Sequence, residues 1–194
     1  MKLTVGTKAP DFSVNNQNGQ PVSLSSLKGK KVVLYFYPKD MTPGCTAESC
    51  NLRDNYKALQ KQGYVVFGIS SDNEKSHQKF IAKEKLPFDL LADTEKKVHE
   101  AYGTWIEKSM YGRKYMGTAR VTFIISETGI ITEIISQVDT KNHASQILNT
   151  QSAAPAKSNA KKSAKKPAKK TLPQKATKAV KKPVKKAAKK KSKK

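Results

Sequence analysis

Cysteine is nearly absent from this chain: two residues in 194, Cys45 and Cys50. Long apolar runs are missing too. The opening MKLTVGTKAPDF has a Lys near its start but no apolar stretch behind it, so neither a secretory signal nor a membrane-spanning helix is expected. A reducing, cytosol-like compartment follows. There a lone cysteine pair is catalytic or metal-binding more often than a structural staple. Histidine is scarce as well: His77, His99 and His143 are scattered, and none makes a paired ligand spacing with the cysteines, so no metal or organic cofactor is expected.

A third absence divides the chain. Residues 155–194 contain no acid, no arginine and no aromatic residue, yet hold eighteen of the 38 Lys+Arg. The other 20 basic residues face 15 acids within residues 1–154, leaving that part at +5 of the net +23. Two regions are therefore expected: a mildly basic globular domain over 1–151 and a Lys-rich tail over 152–194. The tail cannot bury enough apolar surface to offset ordering costs of roughly 1–2 kcal/mol per residue, so it is expected to be disordered. Pro155, Pro167, Pro173 and Pro183 interrupt any long helix there.

In the first region the pattern alternates. Segments 11–14 and 21–24 flank NNQNGQ and predict a leading hairpin. KVVLYFY, 31–37, is mostly β-branched and aromatic, the composition of a strand covered on both faces. Ala47, Leu52, Tyr56 and Leu59 recur at helical spacing, predicting a helix over 45–61 that Gly63 ends. A strand over 64–70, a helix over 74–84 after the Ser-Asp-Asn cap signals, and a short strand near 88–91 follow. Next come a helix near 95–102, a Gly- and Tyr-rich loop over 103–119, a hairpin of 121–126 with 130–135, and a last helix over 142–148. Strands interleaved with helices predict an α/β sandwich with a mixed central sheet.

The chemistry gathers in PKDMTPGCTAESC, residues 38–50. A strand, a turn and a helix starting near Cys45 bring its sulfur against unpaired backbone N–H groups, which favours thiolate, the nucleophilic form. The Thr42 hydroxyl, three residues earlier, can donate to the sulfur or hold a peroxide oxygen. Pro38 and Pro43 stiffen the loop. Attack on an O–O bond leaves a sulfenic acid, which condenses with a second thiol within reach, and Cys50 is the only candidate. Five residues along an ideal helix separate two Cα atoms by ~8.6 Å and ~140° of rotation. A disulfide tolerates about 7 Å. The first helical turns must then unwind for the bond to form.

With Pro38, Thr42 and Cys45 at the P-x-x-x-T-x-x-C spacing and a second cysteine five residues on, this segment resembles the PrxQ/bacterioferritin comigratory protein branch of the peroxiredoxins. APDF, VVLYFYPKD and GTARVTF extend the resemblance over about residues 3–149. It implies a thioredoxin-like fold, a peroxidatic Cys45, a resolving Cys50, Thr42 as thiolate and peroxide partner, and Arg120 as a distant cation. Glu48 matches the family's helix acid, in a supporting role. Hydroperoxides as substrate, a thioredoxin-like reductant and a monomeric state are implied likewise. A thioredoxin-type disulfide reductase, the alternative enzyme, would want C-x-x-C, whereas four residues intervene here.

The tail is no part of that resemblance. It reads as a solubilising polycation, an arm for anionic lipid, or an arm for nucleic acid. Its Ala/Lys/Pro composition resembles linker-histone tails and favours the last, with Lys161, Lys162, Lys165, Lys166, Lys169, Lys170, Lys185, Lys186, Lys189 and Lys190 as candidate phosphate contacts. Lysine without arginine or aromatics argues against stacking on single-stranded bases. The competing function class is a DNA-compacting or DNA-shielding protein in which this tail dominates. A bacterial cytoplasmic, nucleoid-associated enzyme is expected; nuclear localisation is the alternative reading of the Lys run.

Overall fold

The computed structural model describes residues 3–110 and 112–150. The domain boundary at 151/152, the disorder expected of the tail and its candidate lysines lie outside the described residues.

Strand β3 (Lys31–Phe36) is the centre of the fold, and its side chains alternate between two cores. Val33 and Tyr35, with Tyr37 just beyond, enter one; Val32, Leu34 and Phe36 enter the other. All six are at most 1% exposed, as a β-branched and aromatic run requires when its strand is covered on both sides. Burying each large apolar side chain contributes about 1.5–3 kcal/mol. Parallel neighbours β4 (Tyr64–Ser70) and β5 (Asp89–Ala92) extend the sheet on one side. Antiparallel β8 (Val121–Ile125) and β9 (Ile131–Ile135) extend it on the other, giving the order β5-β4-β3-β8-β9. The mixed sheet flanked by helices is the thioredoxin-like α/β architecture expected.

Helices α1 (Pro43–Asp54), α2 (Tyr56–Lys61), α3 (Glu74–Glu84) and α5 (His143–Asn149) supply Leu52, Leu59, Phe80 and Ile147 to the Tyr35 side. Cys45 belongs to the same core. On the opposite side α4 (Lys97–Ala101) contributes Val98, and Phe12 and Leu24 come from the leading segment. That segment forms a short hairpin, β1 (Ser13–Asn15) with β2 (Pro21–Ser23), closed by the Asn16 side chain accepting from Asn18 N at 2.9 Å and Gln20 N at 3.0 Å. At Gly68 a Cβ would lie 2.6 Å from Leu90 and 2.7 Å from the Tyr35 ring, so only glycine lets these two side chains meet over β4.

Three expectations need correction. The helix near Cys45 begins two residues earlier, at Pro43, because proline at a first helical position gives up an N–H that the helix does not use. It is also broken at Asn55, whose side chain donates to Asn51 O at 2.9 Å and whose backbone leaves the helical region (φ −104°, ψ 9°). The predicted loop over 103–119 is instead a ribbon of β6 (Trp105–Met110) and β7 (Arg113–Thr118), paired over six residues. Most of its described side chains are exposed, so the apolar alternation that announces a half-buried strand never arises. Helix 95–102 shortens to α4.

Candidate active site

Between β3 and α1 the chain turns through Pro38–Thr42, and a set of buried polar groups braces that turn. Pro38 is half-buried just past β3. Asp40 is 4% exposed. One of its carboxylate oxygens accepts from Tyr37 Oη at 2.7 Å; the other accepts from Ser76 Oγ at 2.7 Å and faces His77 Nδ1 at 2.9 Å. Its backbone N–H donates to Asp72 Oδ2 at 2.8 Å. Burial alone would raise the Asp40 carboxyl, but the His77, Ser76 and Tyr37 contacts outweigh it and hold the group below the ordinary carboxylate range. Met41 then takes a left-handed backbone (φ 56°), and Thr42, extended (φ −84°, ψ 150°), caps α1. For a side chain with a Cβ the Met41 conformation is unfavourable, and the brace over-determines it.

Cys45 therefore lies in the first turn of α1, 1% exposed. Arg120, in the link between β7 and β8, points Nη2 at its Sγ from 3.3 Å. The same guanidinium, through Nη1, is ion-paired with Glu48 Oε2 one helical turn beyond the cysteine. Glu48 is completely buried, and its other oxygen faces His143 Nδ1 at 3.2 Å without hydrogen-bond alignment. His143 Nε2 in turn meets Thr122 Oγ1 at 2.9 Å. Burial would lower the Arg120 pKa, but Glu48 and Cys45 override this and raise it. A fixed cation thus touches both the Cys45 sulfur and a buried carboxylate.

Thr42 donates its hydroxyl to Lys39 O at 3.0 Å. That proton is thus directed away from the Cys45 sulfur. A second cation, Lys108 on β6, is near enough to sense both Cys45 and Arg120; burial first, and then Arg120, lowers its pKa. Its Nζ donates to the Thr118 carbonyl.

Cys50 lies in the same unbroken helix, half-buried, and both thiols are free. Its Sγ donates to Glu84 Oε2 at 3.5 Å. Burial chiefly, together with Glu84, pushes the Cys50 thiol up, although Arg53 opposes this. With both cysteines helical, the separation of ~8.6 Å expected from helix geometry stands beyond disulfide reach.

The fold thus brings together Cys45, Arg120, Glu48 and Thr42 around one turn, with Cys50 further along α1. Sequence reasoning missed Asp40, His77, His143, Thr122, Lys108 and Glu84. Asp40 and His77 are 37 residues apart in the chain, a spacing that carries no local pattern. All three histidines are fully buried, each against a carboxylate: His77 on Asp40, His99 on Asp93 at 2.6 Å, His143 on Glu48. Among the described residues, no three His, Cys, Asp or Glu come together as a metal-ligand set, and no helix is long and apolar enough to cross a membrane.

The pattern of the AhpC/TSA family matches residues 5–134. Peroxiredoxin Bcp of Bacillus subtilis is 43% identical over 150 residues, covering 77% of this chain and 96% of that protein. Peroxiredoxin Bcp of Escherichia coli K12 is 44% identical over 147 residues, 76% of this chain and 94% of the relative. The crystal structure of a cysteine-to-serine mutant of Xylella fastidiosa PrxQ superposes with a TM-score of 0.73 at 30% identity, covering 78% of this chain and 97% of that one.

Proposed function

We propose, since this chain belongs to the AhpC/TSA family and within it to the Bcp/PrxQ peroxiredoxins, that Cys45 is the nucleophile of this thiol peroxidase and Cys50 its resolving partner. The observation that carries the assignment is the Arg120 Nη2 contact to the Cys45 sulfur at 3.3 Å, with Glu48 holding the guanidinium from behind. Thiolate sulfur attacks one peroxide oxygen; an S–O bond forms, the O–O bond breaks, and the other oxygen leaves and takes up a proton, equal to the one the thiol released, to become water or alcohol. Thr42 accepts from the peroxide O–H and Arg120 offsets the charge on the leaving oxygen.

Cys50 then attacks the Cys45 sulfur. An S–S bond forms, the S–O bond breaks and water leaves, once the first turns of α1 have unwound. A thioredoxin-like dithiol returns both cysteines to thiols, so the substrates are a hydroperoxide and a small protein reductant, and the working unit is a monomer. The discriminating experiment is peroxide consumption with thioredoxin as reductant. Cys45→Ser abolishes turnover and deletion of residues 155–194 leaves it intact; loss of turnover on deletion alone would favour a tail-centred function.

A second proposal concerns place. Eighteen lysines without an acid in residues 155–194 suit duplex phosphates, and would hold the peroxidase on bacterial DNA in the cytoplasm. If six of them neutralise phosphates, log K falls with a slope near roughly −5 against log salt. A 1–154 protein that binds DNA as tightly as the full chain would remove this proposal.

A further inference from the structure

The Cys50 thiol is not loose in the reduced protein. Its Sγ donates to Glu84 Oε2 at 3.5 Å. One turn along α1, Arg53 Nη1 donates to the backbone carbonyl of the same Glu84 at 2.6 Å. Glu84 is the last residue of α3, which Lys85 closes in the left-handed conformation (φ 53°). Two bonds from α1, three residues apart, therefore converge on one residue of α3. The Glu84 side chain is 16% exposed, and its other oxygen has Lys83 Nζ only at 4.0 Å. Arg53 is itself engaged by Asp54 at 2.8 Å, so its charge is shared.

We propose that Glu84 is a latch on the resolving cysteine: its carboxylate holds Cys50 in the helix as a thiol and biases the enzyme toward its reduced, folded form. This rests on Cys50 being the resolving cysteine. A thiol has a proton to donate, and a disulfide sulfur has none. The Glu84–Cys50 bond therefore exists on only one side of the redox equilibrium, and its free energy appears in the equilibrium constant of the Cys45–Cys50 couple. On resolution, Cys45–SOH and Cys50–SH give the disulfide and one water. The proton that Glu84 had accepted as a hydrogen bond leaves in that water, and the carboxylate is returned to solvent. Before any of this, Cys50 must part from Glu84, because α3 offers no reason to unwind with α1. Glu84 is a positioning residue that acts through Cys50.

The test equilibrates full-length protein with a glutathione redox buffer and quantifies the intramolecular disulfide for wild type, Glu84→Ala and Glu84→Gln. Glu84→Ala is expected to favour the disulfide about fivefold, or ~20 mV more negative at 29.6 mV per decade. Glu84→Gln, which keeps an acceptor oxygen, returns to within about twofold of wild type. A double cycle on the reduced protein separates the latch from general damage to α3: Glu84→Ala lowers the urea midpoint less in a Cys50→Ala background than in wild type. Equal constants for wild type and Glu84→Ala overturn the latch, as do additive urea midpoints or a glutamine variant as readily oxidised as the alanine one. If wild type forms no disulfide joining Cys45 and Cys50 after stoichiometric peroxide, it is the assignment of Cys50 that has failed.

Discussion

Replacing Arg120 by Met tests the centre of the site, because the guanidinium makes two contacts whose losses read out separately. Toward Cys45 it contributes one hydrogen bond at 3.3 Å with a charged donor. Such bonds are worth about 1.5–3 kcal/mol, so the oxidation rate of Cys45 should fall about 10- to 150-fold. Toward Glu48 the loss falls on stability. That carboxylate is fully buried and would be left facing only His143 Nδ1. Breaking a buried pair costs roughly 3–5 kcal/mol, but the Arg120 side chain is 23% exposed and water screens it, so the low end, about 3 kcal/mol or less, is expected. Stopped-flow fluorescence of the single Trp105 follows the rate, and urea unfolding follows stability. Adding Glu48→Gln to Arg120→Met removes the stranded charge and should restore most of the stability while leaving the rate low. A rate within about threefold of wild type for Arg120→Met would refute the electrostatic role. Full recovery of the rate in the double variant would show that the loss came from disrupted packing.

The disulfide form should lose amide-exchange protection across residues 45–56, since both cysteines lie within α1 when reduced; identical protection in the two redox states would sink the unwinding step. Asp40, held below the ordinary carboxylate range, is deprotonated in the folded chain at pH values where the unfolded chain, near ~3.9, has begun to bind a proton. Its stabilising contribution is thus present above about pH 4 and lost as pH falls through the folded value. Asp40→Asn should flatten the acid limb of urea midpoints measured from pH 7 to pH 2.5, and equal limbs would contradict the brace. Gly68→Ala places a Cβ 2.6 Å from Leu90 and 2.7 Å from Tyr35, both fully buried, and should cost about 1–3 kcal/mol. Calorimetry would then record a fall in Tm of roughly 3–10 °C, and an unchanged Tm would mean those side chains yield freely.

Local physics made much of this protein readable from its residues. The run 31–37 had to be a strand buried on both faces, and Asn73 followed by helical spacing had to open α3, because pleat alternation and N-capping act over a few neighbours. The segment 38–50 likewise carried the proposed nucleophile Cys45, Thr42 and the second thiol within one turn and one helix. The β6–β7 ribbon escaped because most of its described side chains are exposed, so the apolar alternation of a half-buried strand never arises. The partner of Cys50 and the Asp40–His77 brace escaped for a different reason, and Arg120 was reached only through the family resemblance. Arg120 is 75 residues from Cys45 and Glu84 is 34 from Cys50, and Asp40 finds His77 only when β4 and α3 fold beside the loop. By itself the sequence determined which residue is the candidate nucleophile and which helix presents it. Tertiary structure decided what surrounds the sulfur, since burial without water forces each buried charge to find its partner wherever the chain returns through the same space.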